Sequence, residues 1–172
     1  MRNLLTLTLP VILSLALVSC DDDDDTGNDS DTLITGEAYL TFEADGATVS
    51  FGPEEFDAAY WTEMGRTQLV GPEGGAAFMI QFDGAEPGSF TVTDTFVSYD
   101  LDPSQSFPWG WVASPAFEGS SFDLEIVSYE EVGGWITGTF SGTLVEMHES
   151  DPTGGTLSIA NGEFALLRLE DR

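Results

Sequence analysis

The stretch Ala38-Tyr39-Leu40-Thr41-Phe42-Glu43-Ala44-Asp45-Gly46-Ala47-Thr48-Val49-Ser50-Phe51 decides the fold class. Apolar residues recur at every second position on both sides of Asp45-Gly46, the period of a strand with one buried face. Asp-Gly is the dipeptide that tolerates the two positive φ angles of a tight hairpin turn. A two-residue loop at that point sets Phe42 against Val49 and Leu40 against Phe51, so both apolar sets land on one face. Periodicity and turn chemistry therefore agree on one register.

The same pattern runs outward. Strands are predicted over Phe56–Met64, Thr67–Val70, Ala76–Phe82, Ser89–Thr93, Thr95–Tyr99, Phe122–Tyr129, Trp135–Glu146, Thr156–Ala160 and Glu163–Leu169. Gly65-Arg66, Asp83-Gly84, Gly133-Gly134, Gly154-Gly155 and Asn161-Gly162 punctuate them as turns. Asn161-Gly162 either closes a hairpin that sets Ile159 against Phe164, or forms a bulge inside one long strand. The expectation is all-β: a single antiparallel β-sandwich or flattened barrel of about 8–10 short strands spanning residues 33–172. A domain of that size buries enough surface to need no disulfide.

Charge and composition exclude whole classes of function. The 172 residues include 31 Asp and Glu against 4 Arg and no Lys, a net charge of -27. Nucleic-acid binding is excluded, because phosphate contacts need Lys and Arg. One Cys rules out a disulfide framework, a redox pair and a multi-Cys zinc site. The single His, His148, is read as a solvated strand-end residue rather than a catalytic base. There is no phosphate-cradling loop with a Lys, no nucleophile elbow and no HExxH. The chain is therefore read as not an enzyme, with a small carboxylate-based hydrolase as the least favoured alternative. Such acidity without Lys suits a saline medium, where screening relieves self-repulsion.

Residues 1–19 read as a secretory signal: Arg2 supplies the positive start, and Leu4 to Val18 is apolar apart from Pro10. The run ends in Leu17-Val18-Ser19-Cys20, which resembles a bacterial lipobox. That resemblance implies cleavage before Cys20 and a diacylglycerol on its thiol, holding the protein on a membrane without spanning it. Residues 20–32 then form an Asp-rich tether, with five consecutive Asp from Asp21 to Asp25, expected to be disordered and extended. An EF-hand reading of this segment fails: Thr26 replaces an oxygen-rich ligand and Leu33 stands where the bidentate Glu belongs. Acidic residues directly after the lipidated Cys resemble the export tag that sends some Gram-negative lipoproteins to the cell surface, whereas in other lineages an Asp in the second position retains the lipoprotein at the inner membrane; of the two, the outer membrane is the expected location.

The order of motifs carries a second resemblance. Ala44-Asp45-Gly46, Gly88-Ser89-Phe90, Ile136-Thr137-Gly138-Thr139-Phe140-Ser141-Gly142 and Leu157-Ser158-Ile159-Ala160-Asn161-Gly162-Glu163-Phe164 follow the lipobox and the tether. The chain is similar to small bacterial cell-envelope lipoproteins with a closing I-x-G-T-F…I-x-N-G-x-F signature. The resemblance implies a membrane-anchored β-sandwich. It transfers no catalytic or binding residue.

Residues 100–115 are the longest stretch without a strand pattern, and functional groups concentrate on such segments. Phe107, Trp109 and Trp111 lie two apart, so an extended backbone would point all three rings one way, with Asp100 and Asp102 nearby. Aromatic faces beside carboxylates suit the stacking of sugar rings; the competing reading is that the rings cover an open sheet end. Asp100 with Asp102, or Glu146 with Glu149 and Asp151, could also gather oxygen ligands for calcium, although no motif supports it and no cofactor is expected. The sequence thus points to a lipid-anchored envelope protein that binds a polysaccharide or a protein partner, or to a structural lipoprotein without a soluble ligand.

Overall fold

The computed structural model describes residues 36–52, 56–71, 77–101, 109–149 and 151–172, with the backbone alone at Trp109. The signal segment, Cys20, the tether, Asp102 and Phe107 lie outside the described residues.

Strands β1 (Tyr39–Ala44) and β2 (Ala47–Phe51) form the expected hairpin. Leu40 pairs with Phe51 and Phe42 with Val49. Asp45 and Gly46 take φ of 46° and 81°, as a turn with two left-handed residues requires. The turn is also tied to a distant strand: the Asp45 N–H donates to Ser158 O, and Asp45 Oδ1 accepts from the Ser158 N–H, both at 2.9 Å.

The remaining strands are β3 (Asp57–Trp61), β4 (Arg66–Val70), β5 (Ala77–Asp83), β6 (Gly88–Thr91), β7 (Thr95–Asp100), β8 (Trp109–Ala113), β9 (Ser121–Tyr129), β10 (Trp135–His148) and β11 (Asp151–Leu167). They form one curled antiparallel sheet in the order β2-β1-β11-β10-β8-β7-β5-β4-β3, with β9 on β10 and β6 on β9. Strand β10 serves two neighbours: residues 136–143 pair with β9 and residues 145–148 with β8. Register shifts against β11 between Phe140 and Gly142 and between Val145 and Met147 flank the changeover, with the extra residues on β11. The sheet thereby folds back on itself, and Phe42 of β1 and Phe140 of β10 meet Phe78 of β5 at ring distances of 4.7 and 5.5 Å. Residues 168–172 then run beside β3. Leu169 N–H donates to Ala58 O, Arg172 N–H to Tyr60 O and Thr62 N–H to Arg172 O.

Three details differ from the sequence reading. Among the described residues there are eleven strands, not 8–10. Trp109–Ala113 is a strand rather than part of an irregular segment. Its inward Ala113 and its outward Val112 are both buried, so the alternation that marks a half-wet strand is missing. The separate strands over 156–160 and 163–169 are one, β11, with Asn161 at φ 51° forming the bulge that the sequence offered as the alternative to a hairpin turn. Register shifts opposite it in both β1 and β10 show the inserted residue.

The core explains the glycines in 136–144. Gly138 stands opposite Phe164, Phe140 opposite Gly162, and Gly142 opposite Phe122. A Cβ on Gly138 would lie 2.8 Å from the Phe164 ring, one on Gly162 2.5 Å from Phe140, and one on Gly142 2.9 Å from Phe122. Each ring lies over a neighbouring strand's backbone, which only glycine leaves open. Phe140 thus sits among Phe42, Phe78, Phe122 and Phe164 with centroids 5.5–6.3 Å away. Burial of each ring contributes about 1.5–3 kcal/mol, and each well-oriented pair about 0.5–1.5 kcal/mol more.

Candidate functional site

The outward residues of β6, β9, β10 and β11 alternate with these core rings. They line a shallow trough of about 570 Å³. Cross-strand register arranges them in two rows. Ser89 pairs with Glu125, Glu125 with Thr139, and Thr139 with Glu163. Beside them Thr91 pairs with Asp123 and Asp123 with Ser141, and the Asn161 bulge faces Ser141. Read by strand, β6 presents two hydroxyls, β9 two carboxylates, β10 two hydroxyls, and β11 an amide and a carboxylate. Sequence order hides this arrangement, because the four strands come from residues 88 to 167.

Local bonds fix the walls of the trough. Ser89 Oγ donates to Glu125 Oε2. At the other row the Thr91 N–H and Oγ1 both donate to Asp94 Oδ2 at 3.0 Å, and the Asp94 N–H returns a bond to Thr91 O at 2.9 Å. Those donors hold the Asp94 carboxyl below the usual aspartate range, led by the backbone bond from Thr91. Beside β11, burial and then the nearby Glu163 carboxylate push the Tyr39 phenol up. No basic side chain lines the trough. The three described arginines pair elsewhere, Arg66 with Asp83 at 2.7 Å, Arg168 with Asp171 at 2.8 Å and Arg172 with Asp57 at 3.5 Å. The trough is therefore rich in acceptors and in hydroxyl donors, and it repels anions.

Trp111, one of the aromatic residues singled out in the sequence, lies on a different part of the sheet. Trp111 of β8 is half-buried and lies against Tyr99 of β7, with ring centroids 6.1 Å apart and planes at 31°. The two strands approach closely at Gly110, where a Cβ would sit 2.5 Å from Tyr99 O. Trp111 and Asp100 do come together on one cleft of about 230 Å³, whose other walls include Val70, Met79, Ser98 and Val112. That cleft is largely apolar. The rings of Phe107 and Trp109, and Asp102, fall outside the described side chains.

Metal chemistry finds no cage here: among the described residues no three His, Cys, Asp or Glu side chains gather as ligands. Glu146 accepts a bond from Thr153 Oγ1, and Glu149 takes φ 59° at the turn between β10 and β11. His148 is exposed at the same end of β10, in register with Asp151.

No protein-family model matches the chain, and neither a curated protein nor a solved structure does.

Proposed function

We propose that this chain is a lipid-anchored protein of the cell envelope, held on the outer membrane through Cys20, whose β domain is a non-catalytic binding module for a polysaccharide. The observation that carries the reading is the trough on β6, β9, β10 and β11, where hydroxyl and carboxylate or amide side chains alternate strand by strand. Carboxylates and amides accept hydrogen bonds from sugar hydroxyls, and Ser and Thr hydroxyls both donate and accept. The absence of a base from its lining favours an uncharged polymer over a polyanionic one.

A second reading rests on the cleft beside Trp111, where an indole edge and apolar walls would suit a protein partner's apolar side chain. The two are separated by titrating the purified chain with a polysaccharide panel while following tryptophan fluorescence and, independently, heat. Binding weakened by Glu163→Gln and unaffected by Trp111→Ala supports the trough. Loss of binding in Trp111→Ala alone moves the site to the cleft. Mass spectrometry of the protein from its native membrane tests the anchor: a diacylglycerol adduct on Cys20 is expected, and an unmodified thiol would remove that part of the reading.

A further inference from the structure

We infer, resting on the polysaccharide reading, that the ligand is a linear, uncharged polyol chain lying across the four strands of the trough rather than along them. Along any one of these strands the outward chemistry does not alternate. Strand β9 offers Asp123 and Glu125, both acceptors, and β10 offers Thr139 and Ser141, both hydroxyls. Across the strands it alternates at every step: Ser89, Glu125, Thr139, Glu163 in one row and Thr91, Asp123, Ser141, Asn161 in the other.

Neighbouring strands are about 4.8 Å apart, so each row spans about 14 Å in three steps. That step is close to the advance of one sugar ring in an extended β-linked chain, so four successive rings would each find one rung in each row. A ring placed over a rung offers hydroxyls to both edges of the trough, which is why two parallel rows suit a polyol better than one. The Asn161 bulge completes the second row. The bulge sets Ala160 and Asn161 opposite Ser141, where a regular ladder would set one residue, and the exposed Asn161 is the β11 side chain at that rung. A ligand lying along β9 would meet Ser121, the two adjacent carboxylates and the apolar Val127, one along β10 would meet only hydroxyls, and neither would use the Asn161 side chain.

The test uses isothermal titration of the full chain with neutral β-linked oligosaccharides of two, four and six units, and with a four-unit uronate. Affinity is expected to rise at least ten-fold from the dimer to the tetramer, then to level off at the hexamer, with no uronate binding. Ser89→Ala and Glu163→Gln, at the two ends of one row, should each weaken the tetramer about three-fold or more. Thr137→Val and Thr143→Val, which extend the β10 column beyond both rows, should leave it unchanged. The opposite pattern, with Thr137 and Thr143 sensitive and Ser89 and Glu163 not, would put the ligand along the strands and overturn the inference while leaving a polysaccharide module. Uronate bound as well as the neutral tetramer would also overturn it. If no oligosaccharide binds at millimolar concentration, the polysaccharide reading itself fails. Circular dichroism on each variant separates loss of binding from loss of fold.

Discussion

Replacing Gly138 by Ala tests the core in a way few substitutions can, because the structure states what the new methyl would strike. The added Cβ would lie 2.3 Å from Glu125 O and 2.8 Å from the Phe164 ring. The backbone carbonyl belongs to the β9 ladder and cannot move without breaking pairing between β9 and β10. Gly71 provides the contrast. There the Cβ would lie 2.0, 2.3 and 2.7 Å from ring atoms of Phe56, with no backbone atom among its three nearest contacts. In open space Gly→Ala within a strand would stabilise by roughly 0.5–1 kcal/mol. Overpacking reverses the sign, at about 1–3 kcal/mol. For a domain of this size a net loss of about 2 kcal/mol lowers Tm by roughly 4–8 °C.

The decisive readout is a pair of double-mutant cycles by urea or thermal denaturation. Phe56→Leu removes the obstacle to Gly71→Ala, so that pair should show a favourable coupling of about 1–2 kcal/mol. Phe164→Leu leaves the Glu125 carbonyl in place, so Gly138→Ala should remain destabilising, with coupling below about 0.5 kcal/mol. If Phe164→Leu rescued Gly138→Ala as fully as Phe56→Leu rescues Gly71→Ala, the carbonyl would not be the obstacle and the argument would fail. A neutral Gly138→Ala would refute the packing of Phe164 over β10 altogether.

Three further outcomes are expected. Asp94→Ala should lower Tm at neutral pH by freeing the turn after β6; because the folded-state pKa of Asp94 is depressed, its contribution is present above the ordinary aspartate value and lost as pH falls through the lower folded value, so wild type and variant should converge in acid. Convergence at alkaline pH instead would contradict the assignment. At the bulge, Asn161→Gly should be neutral within about 0.5 kcal/mol, whereas Asn161→Val should cost about 1–2 kcal/mol because a β-branched residue resists φ 51°; equal stability of the two variants would argue against the left-handed bulge. With a net charge of -27, the chain should gain Tm as sodium chloride rises from low to molar concentration, and a flat profile would show that self-repulsion is negligible.

Legibility in the sequence varied with the range of the interaction. The β1–β2 hairpin was readable to the residue pair, since Asp45-Gly46 fixes its register within a few positions of chain. Strand β8 was not readable, because Val112 and Ala113 are both buried and leave no period of two. The aromatic residues drew attention to residues 107–111 as a sugar-stacking surface, and the structure puts Trp111 against Tyr99 beside an apolar cleft. The trough was missed. Its Ser, Thr, Asp, Glu and Asn residues look like ordinary solvated strand faces one strand at a time, and the signal that could have found them was the outward alternation of 123–125 and 139–141.

The sequence by itself determined the class of structure: period-two burial, turn dipeptides and charge sign are all local properties of the chain. Tertiary structure alone decided that β10 passes from β9 to β8, that Gly138 and Gly162 face Phe164 and Phe140, and that hydroxyl and carboxylate columns alternate across four strands. The physical reason is register. Cross-strand pairs join residues tens of positions apart, and which pair forms depends on the packing of every strand between them.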